Sequence, residues 1–502
     1  MGIIIKQSFK ASLFSYLGIF LGAFNNLYLF PKFIGAEGIG IINIISASAS
    51  LFLPLLQVGF NNSLIKFFPV FKDKPYFTTF ITYAFLIPFL AFFLFVLSWP
   101  LSKAVFGLMF EDNASVIFQN ILWVLPLTGI LLFFSLFESF SRANFNIVFP
   151  TLVRNVFWRV SMTSGVLLIG FNYLEYTHLS EVLVVSWLLS LICLIVYVWG
   201  QGQLKFGFDR QLIDSKEIKE FNSFSSFVIL LSLGGVLIQR IDQLMVTSYL
   251  GTSAAGVFST AMYFATLIEI PKRSVMGIIS PVLVDSFKTN NIKKVDELYK
   301  KSSLNLLIIG GVLFIGIWIN VWDIFNIIPN KKDFISGVFV VFYYCLARVI
   351  DMGMGCNSEI IVYSKYYKVN VPMQLVLIAV VATTNVIFIP MYGITGAAIA
   401  TCVSIFIYNV IRFVYLYLKM GIQPFTKSTL IVLTILIGAV GLGELIDFNW
   451  FIDLNSMTRS VINIFTRSII VVIPIGLVIY FLKLSDDLNN SINGVLKKFR
   501  LL

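Results

Sequence analysis

The chain has 502 residues, 58% of them hydrophobic and only 12% charged, with a formal net charge of +11. An average soluble domain carries about 25% charged residues, so this chain cannot hide its apolar surface from water, and lipid is its natural solvent. One histidine, His178, and four widely spaced cysteines, Cys193, Cys345, Cys356 and Cys402, leave no metal cluster, disulfide framework or His-based nucleophile to read; no metal site is expected and enzyme readings lose ground.

Apolar runs long enough to cross a bilayer recur from end to end, which predicts an all-α polytopic membrane protein. Two lysines precede the run Ala11 to Phe30, which has no cleavage pattern and reads as an uncleaved first span. The spans are predicted near 9–30, 39–60, 77–98, 119–140, 147–170, 182–200, 225–249 and 254–271, then 303–322, 335–362, 369–389, 394–418, 427–447 and 462–482. That is about fourteen crossings. Pro31, Pro100 and Pro390 fall at predicted ends, whereas Pro88, Pro126 and Pro474 fall inside and predict kinks. The connecting stretches Gly202 to Phe224 and Ser286 to Lys301 are the largest, and neither is long enough for a catalytic domain.

Basic residues fix the orientation, because cytoplasmic loops retain Lys and Arg. With the amino terminus inside, Lys66, Lys72 and Lys74, the stretch Lys205 to Lys219, Lys272 to Lys301, Lys365 and Lys368, Lys419 and Lys427, and the tail all lie in the cytoplasm. Lys32, Lys103, Lys331, Lys332 and Arg459 are left outside. Both termini are then cytoplasmic. The positive charge is a collar facing membrane lipids, and no nucleic acid is called for.

A charge near mid-membrane costs about 2.5–3.5 kcal/mol on insertion scales, so each needs a partner, a wet cavity or a role. In chain order, Asn25 and Asn26 are polar but uncharged on the first span, where Gly18 and Gly22 suit close helix packing. Glu138 and Arg142 are spaced as an ordinary i,i+4 pair. Arg154 and Arg159 flank Trp158 and read either as snorkelling anchors or as phosphate ligands. Arg240 lies deep in the seventh span, with Asp242 about 200° round the helix from it. Lys272 and Arg273 end the eighth span behind Glu269. Arg348 and Asp351, three apart in the middle of 335–362, can pair with each other or with other helices. No phosphate-binding glycine loop is present, so ATP is not a visible energy source.

The chain also repeats itself at an offset of about 216 residues. Asn26-Leu27-Tyr28-Leu29 aligns with Asp242-Gln243-Leu244-Met245, and Gly35-x4-Gly40 with Gly251-x4-Gly256. Six spans separate the copies, so two halves of like orientation are predicted. The stretches Phe30 to Gly40, Arg240 to Gly256 and Ile389 to Thr401 together resemble the multidrug/oligosaccharidyl-lipid/polysaccharide exporter superfamily. Within it, they resemble the polysaccharide-transporter branch that contains O-antigen and capsular flippases.

The resemblance implies two six-helix lobes, 1–203 and 225–420, joined by a cytoplasmic linker 204–224 and followed by a helix pair with tail, 421–502. It implies a flippase in the bacterial inner membrane that moves an undecaprenyl-pyrophosphate-linked glycan by alternating access, with polysaccharide polymerase machinery as a further partner and no cofactor. Arg240, Arg348, Arg154, Arg159, Lys272, Asn25 and Asn26 are the residues expected to face the substrate. Asp242, Asp351, Glu138 and Glu269 are the acids for interlobe pairing or for coupling to a proton or sodium gradient, although none stands out for coupling. The first span lacks the basic residue that some lipid-carrier flippases carry there, which weakens a close match to the peptidoglycan-precursor flippase. A cation-coupled multidrug antiporter is the alternative cargo reading, and a membrane-embedded polymerase the remaining one.

Overall fold

A computed structural model describes residues 2–100, 121–202, 204–209, 216–445, 456–490 and 493. Lys103, the middle of the predicted linker, the end of the thirteenth predicted span and most of the tail lie outside the described residues. What is described is helical, and no strand occurs among the described residues. Eleven helices there are long and apolar enough to cross a membrane. The chain forms two compact units, Met1–Ser259 and Thr260–Leu502.

The first unit contains α1 (Gly2–Phe24), α2 (Gly35–Leu56), α3 (Phe60–Phe71), α4 (Phe77–Leu97), α5 (Val124–Ala143), α6 (Trp158–Gly170), α7 (Leu179–Gly200) and the start of α8 (Lys216–Lys288). Helix α5 packs against α2, α3 and α7. It is the most enclosed span, with 67% of its apolar window buried, and it forms the core of the unit. Pro126, expected to kink this span, instead sits in the first turn of α5, because the helix begins at Val124. A missing N–H costs nothing in a first turn.

Helix α3 was not expected, since the stretch after the second span reads as a charged loop. Its apolar face, Phe60, Leu64, Phe67, Phe68 and Phe71, recurs at helical spacing and is buried. Phe221 of α8 inserts between this face and α4, with ring centroids 4.8 Å from Phe60, 5.7 Å from Phe67 and, on α4, 5.3 Å from Phe80. Ser225 adds a 2.7 Å hydrogen bond to Ser63, and Lys74 pairs with Glu217 at 3.2 Å. The first turns of α8 thus belong to the first unit by packing.

Helix α8 is two limbs joined at Gly251, whose φ of 85° and ψ of 179° suit only glycine. Gly35 has a φ of 62° at the matching place in the first copy of the repeat. Within the first unit the two copies cross backbone to backbone. A Cβ on Gly40 would strike the Thr252 carbonyl, and one on Gly256 would strike the Ala36 carbonyl. The spacing of the repeat therefore serves a contact between its own two copies. Gly18 is likewise used inside the molecule, packed on the Asn155 backbone.

The second unit holds the rest of α8 together with α9 (Ile292–Trp318), α10 (Val321–Ile327), α11 (Val338–Gly353), α12 (Asn357–Tyr363), α13 (Asn370–Met420), α14 (Lys427–Leu445) and α15 (Ser456–Phe481). Helix α11 packs on α13 and α9, α14 on α9, and α15 on α10 and α14. The predicted connection 286–301 is almost wholly helical: only 289–291 turn, and the Asn291 side chain caps α9 by accepting from the Lys294 N–H at 3.0 Å.

The single long span predicted at 335–362 is broken. Gly355, with a φ of 60°, separates α11 from α12. Arg348 and Asp351 therefore stand in the last two turns of α11 rather than mid-helix. Helix α13 bends at Gly393 (φ 58°, ψ −138°), and Gly396 lies against the Phe388 carbonyl, so the Pro-Met-Tyr-Gly block makes a tight hairpin of the same kind as Gly35 and Gly251.

Candidate functional site

Helix α2 is apolar, yet Asn43, Ser46 and Ser50 along it and Gln57 at its C-cap follow at spacings of three, four and seven and share one face. That face opens on a cavity of about 540 Å³ in the first unit. Asn26, Asn61, Ser135, Arg154, Asn155, Arg159 and Arg240 complete its polar lining, and Trp158 and Trp187 stand among its aromatic residues. No carboxylate lines it among the described residues.

Two π-helical turns aim part of this lining. Asn25–Leu29 interrupts the first span, and Val153–Phe157 leads into α6 from the short helix Val148–Leu152. A π-turn adds one residue to the helical turn and rotates the next stretch of helix, a device found often at functional sites. Asn26 belongs to the first of these turns and Arg154 and Asn155 to the second. The turn at 25–29 ends two residues before Pro31, whose ring would crowd a regular turn there. The two segments are tied together: Asn25 and Thr163 exchange hydrogen bonds of 2.7 and 3.0 Å, and Asn155 donates to Ser15 at 3.2 Å. Asn25 is thus buried in helix packing, while its neighbour Asn26 faces the cavity.

The three cavity arginines differ in their partners. Arg154 forms an ion pair with Glu138, which also takes Arg142 at 2.6 Å. Glu138 is 4% exposed, so one enclosed carboxylate holds two guanidinium groups. Arg159 donates to the Asn155 carbonyl at 2.8 Å and lies 5.6 Å from the Trp158 ring centroid. Trp158 stacks on Trp187 at 4.9 Å. Arg240 donates to the neutral amide of Gln243 at 3.1 Å, and no ion pair reaches it among the described residues. Asp242 is buried at 3% exposure and does not line the cavity.

The second unit gathers the other expected residues. Lys272 pairs with Asp351 at 2.5 Å, and Asn409 donates to the other Asp351 oxygen at 3.2 Å. Asn357 donates in turn to Asn409 at 2.8 Å. Glu269 takes Arg273 at 3.4 Å and Arg348 at 3.6 Å. Of the two arrangements open to Arg348 and Asp351, the structure gives each a partner on α8. Lys272 and Arg273, expected to end the eighth span, stand inside α8, which runs on for four more turns to Lys288, and Lys272, with its side chain 14% exposed, belongs to a largely enclosed pair and not to a helix end.

Sequence reasoning missed several of these groups. The stripe on α2 was legible as polar residues at heptad-like spacing on an apolar helix. Asn357 and Asn409 gave no signal as isolated amides. Arg467 and Asp323 also went unnoticed: they pair at 3.0 Å, with side chains only 10% and 12% exposed, and Arg467 donates to the Ile319 carbonyl at 2.7 Å.

The chain is 22% identical over 317 residues to the probable low-salt glycan biosynthesis flippase Agl15 of Haloferax volcanii, a match over 62% of this chain and 64% of that protein. It thus spans less than two thirds of that relative's length. Among solved structures, the lipid II flippase MurJ in an inward closed conformation superposes with a TM-score of 0.73 at 16% identity, over 94% of this chain and 98% of that one. An inward-facing MATE-family multidrug resistance transporter of the MOP superfamily gives 0.59 at 13% identity, over 77% and 93%. The two structural likenesses establish a polytopic helical fold shared with these proteins. The match that spans more than half of the chain, residues 6–287, is to the family described as polysaccharide biosynthesis protein, and to that family the chain belongs.

Proposed function

We propose that the chain is a flippase that moves an undecaprenyl-pyrophosphate-linked oligosaccharide, an O-antigen or capsular repeat unit, across the bacterial inner membrane by alternating access. The observation that carries this reading is the cavity of the first unit, with three arginines and no carboxylate in its described lining. A pyrophosphate needs cationic donors, and guanidinium donates two parallel hydrogen bonds while keeping its charge. Arg240 is the first candidate, because an amide is its partner and its charge is free for a ligand. The Asn, Gln and Ser groups around it suit sugar hydroxyls, and Trp158 and Trp187 offer apolar faces.

A cation-binding drug antiporter calls for acids in the cavity, and none lines it among the described residues. The four acidic candidates, Glu138, Asp242, Glu269 and Asp351, are all engaged elsewhere. In this reading, coupling to a proton or sodium gradient requires one of those contacts to open. Counting α8 and α13 as two crossings each and adding Val148–Gly170 to the eleven apolar helices supports fourteen crossings. Delivery to a polymerase on the outer face completes the proposed path.

The test is deletion of the gene in its host, followed by assay of surface glycan and of inner-membrane lipid-linked intermediates. Accumulation of undecaprenyl-linked units on the cytoplasmic leaflet with loss of surface polymer is the expected result. Unchanged glycan with raised drug sensitivity would move the cargo to the multidrug branch. In the complemented strain, Arg240→Ala is expected to abolish surface polysaccharide at normal protein levels, and Arg240→Lys to restore only part of it.

A further inference from the structure

The second unit has a cavity of its own at the end of its helices, about 680 Å³ in volume and separate from the polar cluster described above. Three elements finish there. Lys288 is the last residue of α8, Lys365 follows α12 by two residues, and Lys419 is the penultimate residue of α13. All three lysines line the cavity together with Tyr363, Tyr366 and Phe287. None makes an ion pair among the described residues, and no carboxylate lines the cavity there. The Lys365 ammonium lies 5.3 Å from the Tyr366 ring centroid.

Each lysine alone has a plain explanation, since a cation near a helix C-terminus offsets the macrodipole. Charge arithmetic shows a surplus. Three C-termini contribute about −0.5 each, and less for the short α12, against three full positive charges. The mouth therefore keeps a net charge of roughly +1.5, enough for one monoanion. Its surroundings are apolar: Tyr417 and Leu418 are 56% and 74% exposed, and Tyr367 is 47% exposed. Exposed side chains of that kind beside a membrane-crossing helix meet acyl chains, with aromatic groups at headgroup level. The positive-inside reading puts this end of the unit at the cytoplasmic leaflet, where anionic lipids give a negative surface potential.

We propose that this cavity binds the phosphodiester headgroup of an anionic phospholipid, held by Lys288, Lys365 and Lys419, with Tyr363 and Tyr366 against its glycerol. The three elements that close on the headgroup are those behind the buried polar cluster: α8 carries Lys272, α12 comes directly after the α11 turn with Asp351, and α13 carries Asn409. A bound lipid would fasten their ends together.

The test is native mass spectrometry of the full-length chain in detergent, titrated in turn with phosphatidylglycerol, phosphatidylcholine and inorganic phosphate. Retention of phosphatidylglycerol over phosphatidylcholine is expected, weakened about fivefold for each lysine changed to glutamine. A control triple variant on the same face, K293Q/K368Q/K427Q, is expected to retain the lipid as the native chain does. Equal loss in the control would reduce the effect to general surface charge and overturn the site. Equal retention of the two lipids would overturn it too, and binding of inorganic phosphate with no lipid preference would reassign the cavity to free phosphate. If K288Q/K365Q/K419Q does not fold, K365Q alone, in an exposed turn, carries the fivefold expectation.

Discussion

At Arg240 and Arg154 the same side chain, in the same cavity, has two different environments. Glu138 already satisfies Arg154, while Arg240 leans on an amide. Replacing Glu138 with Gln therefore releases Arg154 and Arg142 together. Because both arginines are nearly half exposed, we expect a modest loss of about 1–2 kcal/mol, read as a lower unfolding midpoint in detergent. The Arg467–Asp323 pair is more enclosed, and a larger effect is expected there. Asp323→Asn leaves a buried guanidinium uncompensated and costs about 3 kcal/mol, whereas the double change D323L/R467M restores the midpoint to near its starting value. A melt in which the double variant is no better than the single would show that the pair itself stabilises the fold. At this scale the sequence was a partial guide. It marked which charges were too deep to be idle, because depth is written in the apolar run around them. It could not choose between Asp351 and Glu269 as partners of Lys272 and Arg348, since that choice is made by residues about 80 positions away.

Among the elements, the tight hairpins were the most legible, because glycine at a left-handed position and a small residue at a crossing leave their identity in the chain. Gly35, Gly251 and Gly393 all take positive φ where the sequence repeat or the Pro-Met-Tyr-Gly block placed a turn. Gly393 has a backbone that only glycine adopts readily, so Gly393→Ala is expected to cost about 1–3 kcal/mol and to lower the amount of folded protein recovered from membranes. Gly256→Val is expected to be worse than Gly393→Ala, because its side chain would meet backbone and not a movable side chain. The π-turns at Asn25–Leu29 and Val153–Phe157 were not legible, since one extra residue in a turn leaves the apolar run intact. Helix α3 was missed for the opposite reason: Lys66 and Lys72 drew attention to charge and away from the phenylalanines at helical spacing behind them.

For the whole molecule, orientation is the property most open to test. In a variant with its four native cysteines replaced, a cysteine at Thr177 or Lys332 is expected to react with an impermeant reagent in intact cells. One at Lys72 or Thr289 is expected to react only after permeabilisation. All four positions are exposed in the structure. Reversal of the pattern would invert the topology and move the lysine-lined cavity to the outer leaflet. The helical class could be read from composition, because lipid permits few architectures, and three short motifs pointed to the polysaccharide family to which the chain belongs.

The crossing of Gly40 with Gly256 also sets a schedule for biogenesis. Partners in that contact are separated by more than two hundred residues, and the chain emerges from the ribosome at roughly 5–20 residues per second. Gly40 thus waits roughly 10–40 seconds for its counterpart to be made. Until then the first unit lacks the close backbone crossing of its two glycine turns. Slowed translation between the two glycines should lengthen that wait and expose the nascent half-chain to membrane proteases, with no change in any amino acid.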